Sequence, residues 1–96
     1  MERDEVLQVL RAHESELSAF GVKSLALFGS CARNEMQEDS DVDLLVEFSK
    51  PTGLFGFVRL KNYLEKILKH PVDLATRDAL KRQLRDRILA EAIYAG

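Results

Sequence analysis

The chain has 96 residues, of which 46% are hydrophobic and 31% charged, and its formal net charge is −2. This composition indicates a folded globular protein rather than a disordered one, and the length predicts a single domain over residues 1–96. The slightly negative charge argues against nucleic acid as a partner, although a nucleotide needs only a local site.

The sequence also indicates where the protein acts. No apolar run approaches the ~20 residues of a membrane span, and the charged residues 1–17 lack the apolar core of a signal peptide. The single cysteine, Cys31, cannot form an internal disulfide, which fits a reducing compartment. We therefore expect a cytoplasmic protein with no membrane partner.

The first half of the chain contains two regular elements and a helical turn. Apolar residues at three- and four-residue spacing predict a helix over residues 3–20, which Gly21 ends. The apolar stretch "VKSLALFG" predicts a buried strand over residues 23–28. Ser30 is then expected to be the N-cap of a short helical turn, "SCARNEM", which the polar loop "QEDS" follows.

The second half continues the alternation of strands and helices. "DVDLLVEF" predicts a strand over residues 41–48, and a helix over residues 54–69 follows it. "PVDLAT" predicts a third strand, and a last helix over 78–95 carries one apolar stripe formed by Leu80, Leu84, Ile88 and Ala92. The order α-β-α-β-α-β-α predicts an α/β fold with a small mixed three-stranded sheet packed with helices.

Two aspartates stand on alternate positions at the start of the second predicted strand. The side chains of Asp41 and Asp43 leave the same face of that strand, with Cα atoms roughly 6.5–7 Å apart. Two carboxylates so placed can converge on one hard cation, and magnesium favours such ligands together with waters and phosphate oxygens. The alternative is a solvated strand end with two surface aspartates.

The turn after the first strand has the features of an anion cradle. Gly29 allows the backbone to approach a ligand closely, and the helical turn that follows offers free N–H groups and the Ser30 hydroxyl to a phosphate. Arg33, one turn further on, could bind a phosphate with two donors. An ordinary strand-to-helix turn with a surface arginine is the alternative, and the lysine of a P-loop is missing.

A third acid, Asp73, lies between apolar residues in the last predicted strand. A cation held by Asp41 and Asp43 would be its natural partner, and its carboxylate could also accept a proton as a general base. The glycine–serine cradle and these acids together have the composition of a metal–triphosphate site.

The stretch "GSCARNEMQEDSDVD", with Gly-Ser, ten residues and Asp-x-Asp, and the later "VDL" resemble the minimal nucleotidyltransferases of the DNA polymerase β-like superfamily. That superfamily includes the antibiotic nucleotidyltransferases, and the likeness extends almost from end to end of the chain. It implies the nucleotidyltransferase fold, with Gly29 and Ser30 on the nucleotide phosphates and Asp41 and Asp43 on magnesium. Asp73 would complete the metal site and help to activate the acceptor hydroxyl.

The same resemblance implies a reaction and a partner. A hydroxyl attacks the α-phosphorus of a nucleoside triphosphate, pyrophosphate leaves, and two magnesium ions about 3.5–4 Å apart assist. Domains of this size resemble the antitoxin of two-gene modules, which transfers AMP from ATP to a tyrosine of an all-helical HEPN-class RNase toxin. The apolar helix "LFGFVRLKNYLEKIL" fits a partner surface, and core packing with a homodimer face is the alternative.

Two other functions stay open at the level of the sequence. The chain could be a binding module that blocks the toxin sterically without transferring anything. It could also be the subunit of a small-molecule nucleotidyltransferase of the antibiotic type, although no second substrate domain is present in these residues.

Overall fold

The computed structural model describes residues 2–37, 40–80 and 82–95, so Glu38 and Asp39 of the predicted loop lie outside the described residues. The described elements are α1 Arg3–Ala12, α2 Glu14–Ala19, β1 Val22–Leu27, α3 Gly29–Ala32, β2 Val42–Phe48, α4 Leu54–Leu68, β3 Val72–Thr76, a 3-10 turn Arg77–Ala79, α5 Arg82–Glu91 and β4 Ile93–Tyr94. Among these helices none is long and apolar enough to cross a membrane. The predicted α/β class is confirmed.

The strands form one mixed sheet in the order β3-β2-β1-β4. Strand β1 runs antiparallel to both β2 and β4, whereas β2 and β3 run parallel. A parallel pair needs a long crossover, and α4 supplies it. The parallel register sets Asp43 directly opposite Asp73, so both acids lie where their strands begin.

One face of the sheet carries the hydrophobic core. Val42, Leu44 and Val46 alternate along β2, are almost completely buried, and belong to one cluster with apolar residues of α1 and α4. This alternation is the one that the sequence predicts, because side chains two residues apart share a face of a strand. Asp43 and Glu47, at the intervening positions, therefore lie on the opposite face.

The prediction of one continuous helix over residues 3–20 is wrong. The chain breaks at His13, whose backbone angles of φ −110° and ψ 22° are not helical, and a second helix starts at Glu14. The His13 ring contacts the Val9 carbonyl oxygen through Nδ1 at 2.8 Å and meets Tyr63 of α4 edge-on at 6.2 Å between ring centroids. A tertiary contact thus accompanies a break that helical periodicity does not reveal. Gly21, at φ 84°, follows the second helix as expected.

The predicted last helix is present as α5 but ends before residue 95, and the described sheet has four strands rather than three. Helix α5 stops at Glu91, and Ile93 and Tyr94 pair antiparallel with Leu27 and Ala26 of β1. No residue of α5 is buried, and Leu84 is 46% exposed, so the predicted apolar stripe does not face the core. A two-residue strand is too short to show the alternation of apolar and polar residues by which strands are predicted. It forms because the edge of β1 is available for pairing.

Helix α4 offers a matched test of this core assignment. Leu60 is completely buried and Leu54 is 75% exposed. We expect Leu60→Ala to lower the free energy of unfolding by about 3 kcal/mol, because it leaves a cavity. Leu54→Ala, the control in the same helix, should change it by less than about 0.5 kcal/mol. Urea denaturation measures both, and equal losses would contradict the assigned helix orientation.

Candidate active site

The candidate site is built on the first residues of β2 and β3. Because these strands are parallel and in register, Asp43 and Asp73 are lateral neighbours on the same face of the sheet. The Asp73 carboxylate lies near enough to raise the pKa of Asp43, both by its negative charge and as a hydrogen-bond partner of the protonated acid. The structure therefore brings these two predicted site residues side by side.

The pKa of Asp43 reflects the negative charge of the neighbouring carboxylates. Partial burial, followed by repulsion from Asp73 and from Asp41, raises the pKa of the Asp43 carboxyl from 3.8 to about 6. Hydrogen bonding to Asp73 acts in the same direction, and the charge of Arg33 opposes it. The other predicted carboxylates are thus near enough to affect Asp43, as is the predicted phosphate-binding arginine.

Gly29 brings the predicted cradle against these acids. Its φ of 63° lies in the left-handed region, and a Cβ at this position would stand 2.5 Å from the Oδ2 atom of Asp43. The neighbouring Phe28 N–H donates a hydrogen bond to the Asp43 carbonyl oxygen at 3.1 Å. Only glycine combines this conformation with so close an approach. The turn therefore lies directly against Asp43, which is the arrangement that the predicted site requires.

The structure corrects the role predicted for Ser30 in the helical turn. Helix α3 begins at Gly29, its N-cap is Phe28, and no side chain caps it. Ser30 is thus inside the first turn rather than at the cap, and the Glu35 N–H donates to its carbonyl oxygen at 2.8 Å. The strand-to-helix turn itself is confirmed, although α3 has only four residues.

The side chain of Arg33 is engaged elsewhere in this structure. Its Nε donates to Glu35 Oε2 at 3.2 Å and its Nη1 to Glu91 Oε2 at 3.4 Å, where Glu91 ends α5. Sequence reasoning missed Glu91, because 58 residues separate it from Arg33 and no local pattern joins them. A phosphate ligand at Arg33 would have to compete with these carboxylates.

Asp41 is exposed and immediately precedes β2, and its effect on Asp43 is electrostatic. Within residues 2–37, 40–80 and 82–95, no three His, Cys, Asp or Glu side chains stand close enough together to hold a metal ion. Magnesium does not require such a cage, because one or two carboxylates with waters and substrate phosphates suffice. The pairing of Asp43 with Asp73 in the strand register therefore fits a magnesium site that a nucleotide completes.

Comparison with known proteins identifies the class of nucleotide-transferring domains to which this mixed α/β fold belongs. A family model described as a nucleotidyltransferase domain matches residues 6–95. The chain is 41% identical over 92 residues to the protein adenylyltransferase MntA of Thermococcus cleftensis, an alignment covering 95% of this chain and 93% of that one. The chain therefore belongs to the nucleotidyltransferase domain family and is a nucleotidyltransferase.

Solved structures agree with this assignment. A minimal nucleotidyltransferase, 38% identical, superposes with a TM-score of 0.84 over 97% of this chain and 95% of its own. A more distant match, 17% identical with a TM-score of 0.66, belongs to the complex of a tri-AMPylated HEPN toxin from Shewanella oneidensis with an MNT antitoxin. It covers 94% of this chain and 71% of that chain, and it shows the shared fold. The family resemblance seen in the sequence is confirmed.

Two glycines with positive φ allow the cost of backbone strain to be measured apart from the cost of crowding in the site. Gly21 has open space where a Cβ would stand, whereas Gly29 has Asp43 there. Gly21→Ala should cost about 1 kcal/mol of unfolding free energy for its left-handed backbone. Gly29→Ala should cost at least about 1 kcal/mol more, because the methyl group also displaces the Asp43 carboxylate. Chemical denaturation of the two variants measures the difference, and equal losses would contradict the close approach.

The crowding of acids predicts that Asp43→Asn stabilises the metal-free protein. With chelator present at pH 8, the gain should be about 1 kcal/mol, allowing for solvent screening of this half-exposed group. The folded pKa of about 6 lies above the ordinary 3.8, so wild type gains stability as pH falls from about 6 toward 3.8. The advantage of the variant should shrink over that range.

Unfolding curves between pH 4 and pH 8 test this expectation, with Asp78→Asn as control. Asp78 is exposed and lies beyond the opposite end of β3, in the 3-10 turn. An Asp43→Asn advantage that stayed constant over the whole range would show that Asp43 does not titrate as the structure indicates.

Proposed function

We propose that this chain is a magnesium-dependent nucleotidyltransferase that transfers AMP from ATP to a tyrosine hydroxyl of an HEPN-class RNase toxin, and so acts as its antitoxin. The pairing of Asp43 with Asp73 in the strand register, with Gly29 against the Asp43 carboxylate, is the observation that carries this proposal. The relative named as a protein adenylyltransferase, which aligns over most of both chains, supports a protein acceptor.

Asp41, Asp43 and Asp73 are the residues that would hold magnesium, as two ions when ATP is bound. Bound magnesium neutralises phosphate charge and stabilises the oxygens that enter and leave at phosphorus. In its absence the Asp43 carboxyl retains a proton up to a pH of about 6, which partly relieves the repulsion among the acids. A site that binds a proton so readily is one that a cation would stabilise.

The other residues of the chain position the substrates. The backbone of Gly29 and the hydroxyl of Ser30 would hold nucleotide phosphates against the acids, and Arg33 would exchange its carboxylate partners for phosphate oxygens. Asp73 is exposed, so an acceptor hydroxyl can reach it and give up its proton there. The hydroxyl oxygen then bonds to the α-phosphorus while the bond to pyrophosphate breaks. Positioning and charge neutralisation account for the rate.

Transfer of label tests the proposal directly. The chain is incubated with magnesium, ATP labelled at the α-phosphate, and the HEPN-class protein encoded beside its gene. We expect label on a tyrosine of that protein, identified by mass spectrometry, and no label with chelator. Asp41→Asn and Asp43→Asn should each lower the rate at least about 100-fold, whereas Asp78→Asn, remote from the acids, should leave it unchanged.

Other results would overturn the proposal. If both Asp variants neutralise the toxin fully and wild type transfers no label, the chain is a steric binding module. If label moves to a small hydroxyl compound but not to the protein, the acceptor class is wrong. A neighbouring gene without a helical protein product would remove the proposed partner.

A further inference from the structure

The first two turns of α4 carry large apolar side chains that face outward. Leu54 is 75% exposed, Phe55 85% and Val58 43%, and these three residues are called the α4 patch. Val58 is four residues from Leu54 and three from Phe55, and side chains at these two spacings are neighbours on a helix surface, so the patch is continuous. Large contiguous apolar surface is uncommon on a chain that functions alone.

The core does not account for this patch. Leu60, Leu64 and Leu68 form the inner side of α4 and are completely or almost completely buried, which already ties the helix to the sheet. Nothing in the described part of the chain covers Phe55, and leaving a phenylalanine in water forgoes most of its burial energy. The patch therefore contributes little to the fold and is available to a partner.

The surroundings of the patch are basic. Residues 49–64 contain Lys50, Arg59 and Lys61 and no acid, although the whole chain has a net charge of −2. Helix α4 begins after Gly53 without a side-chain cap, so its N-terminal N–H groups add positive partial charge. A cleft lined by residues 46–52 and 76–78, which precede α4 and follow β3, carries charges of both signs, Lys50 and Arg77 with Glu47 and Asp78. The patch thus has an apolar centre and a cationic rim.

The patch lies far from the candidate site. Strand β2 runs from the acids toward α4, and the five residue steps from Asp43 to Phe48 span about 16 Å. Helix α4 also packs on the sheet face opposite to the one that Asp43 occupies. A nucleotide at the acids would not reach the patch, whereas a folded protein of similar size could touch both regions.

We propose that the α4 patch docks an amphipathic helix of the acceptor protein. Apolar residues of that helix would cover Leu54, Phe55 and Val58, and its acidic residues would face Lys50 and Arg59. The inference rests on the proposed function, because the proposed acceptor is an all-helical protein. A second copy of this chain fits less well, since two facing patches would bring two cationic rims together.

Phe55→Ser tests the apolar part of the proposal. It should raise both the Kd of the acceptor protein and its KM in label transfer by at least about tenfold, as loss of an interface anchor does. The kcat at saturating acceptor and the KM of ATP should stay unchanged, because the patch does not contact the nucleotide. Leu84→Ser, at an apolar residue of α5 that is 46% exposed, is the matched control and should change each value by less than about twofold.

A charge reversal tests the rim. Arg59→Glu should slow association with the acceptor about tenfold at low salt and weaken its salt dependence. Lys66→Glu makes the same change in charge two turns further along α4 and should have a clearly smaller effect. Equal effects of the two variants would show that only the net charge of the chain matters.

The outcomes separate the docking proposal from the proposed function. Transfer of label with an unchanged acceptor KM in Phe55→Ser would overturn docking and leave the function standing. Binding that depends on Phe55 without any transfer would overturn the function and leave docking standing, and no binding at all would overturn both.

Two further measurements identify a different occupant. In sedimentation, a wild-type dimer that Phe55→Ser dissociates, with unchanged acceptor affinity, would assign the patch to a second copy. Binding to phosphatidylserine vesicles that Phe55→Ser abolishes, with unchanged acceptor affinity, would assign it to a membrane surface. Either result would overturn the proposal.

Discussion

The parallel pairing of β2 with β3 is the constraint on which the candidate site depends. It places Asp43 beside Asp73, and the buried alternate residues Val42 and Leu44 hold that register. A slip of one residue would turn Asp43 into the core and remove Leu44 from it, which the burial of apolar surface opposes. Burial of apolar side chains on the face opposite to the acids therefore helps to hold the acids in alignment.

Alignment of the acids has a cost in the metal-free chain. Burial, together with repulsion from Asp73 and Asp41, raises the pKa of Asp43, so its carboxyl stays protonated at pH values well above the ordinary pKa of 3.8. Gly29, held in a left-handed conformation against the same carboxylate, adds a second local constraint. Such local strain is common where a fold prepares a site for a ligand, and the rest of the structure must offset it. Here the offset is a core whose largest side chains are almost fully excluded from water.

The sequence predicts those parts of the structure that depend on short-range order. Asp41 and Asp43 are two residues apart and Gly29 ends a strand, so alternation and turn chemistry suffice to select them. The sequence does not predict the pairing of Arg33 with Glu91 or of Ile93 with Leu27, because each joins segments more than 50 residues apart. The break at His13 likewise coincides with a contact to Tyr63, which exists only after α4 has packed. Interactions within the assembled sheet and helices, rather than local preference, decide these features.

The two faces of the sheet also separate chemistry from recognition. One face carries the acids at the start of β2 and β3, and the other buries the inner side of α4, whose outer side forms the α4 patch. A chain of 96 residues has one small core, and most of its large apolar side chains are needed there. Phe55 is outside that core, so its exposure is not explained by folding. Because docking at the patch would leave the acids open, a protein acceptor could be held while nucleotide enters and pyrophosphate leaves on the opposite face.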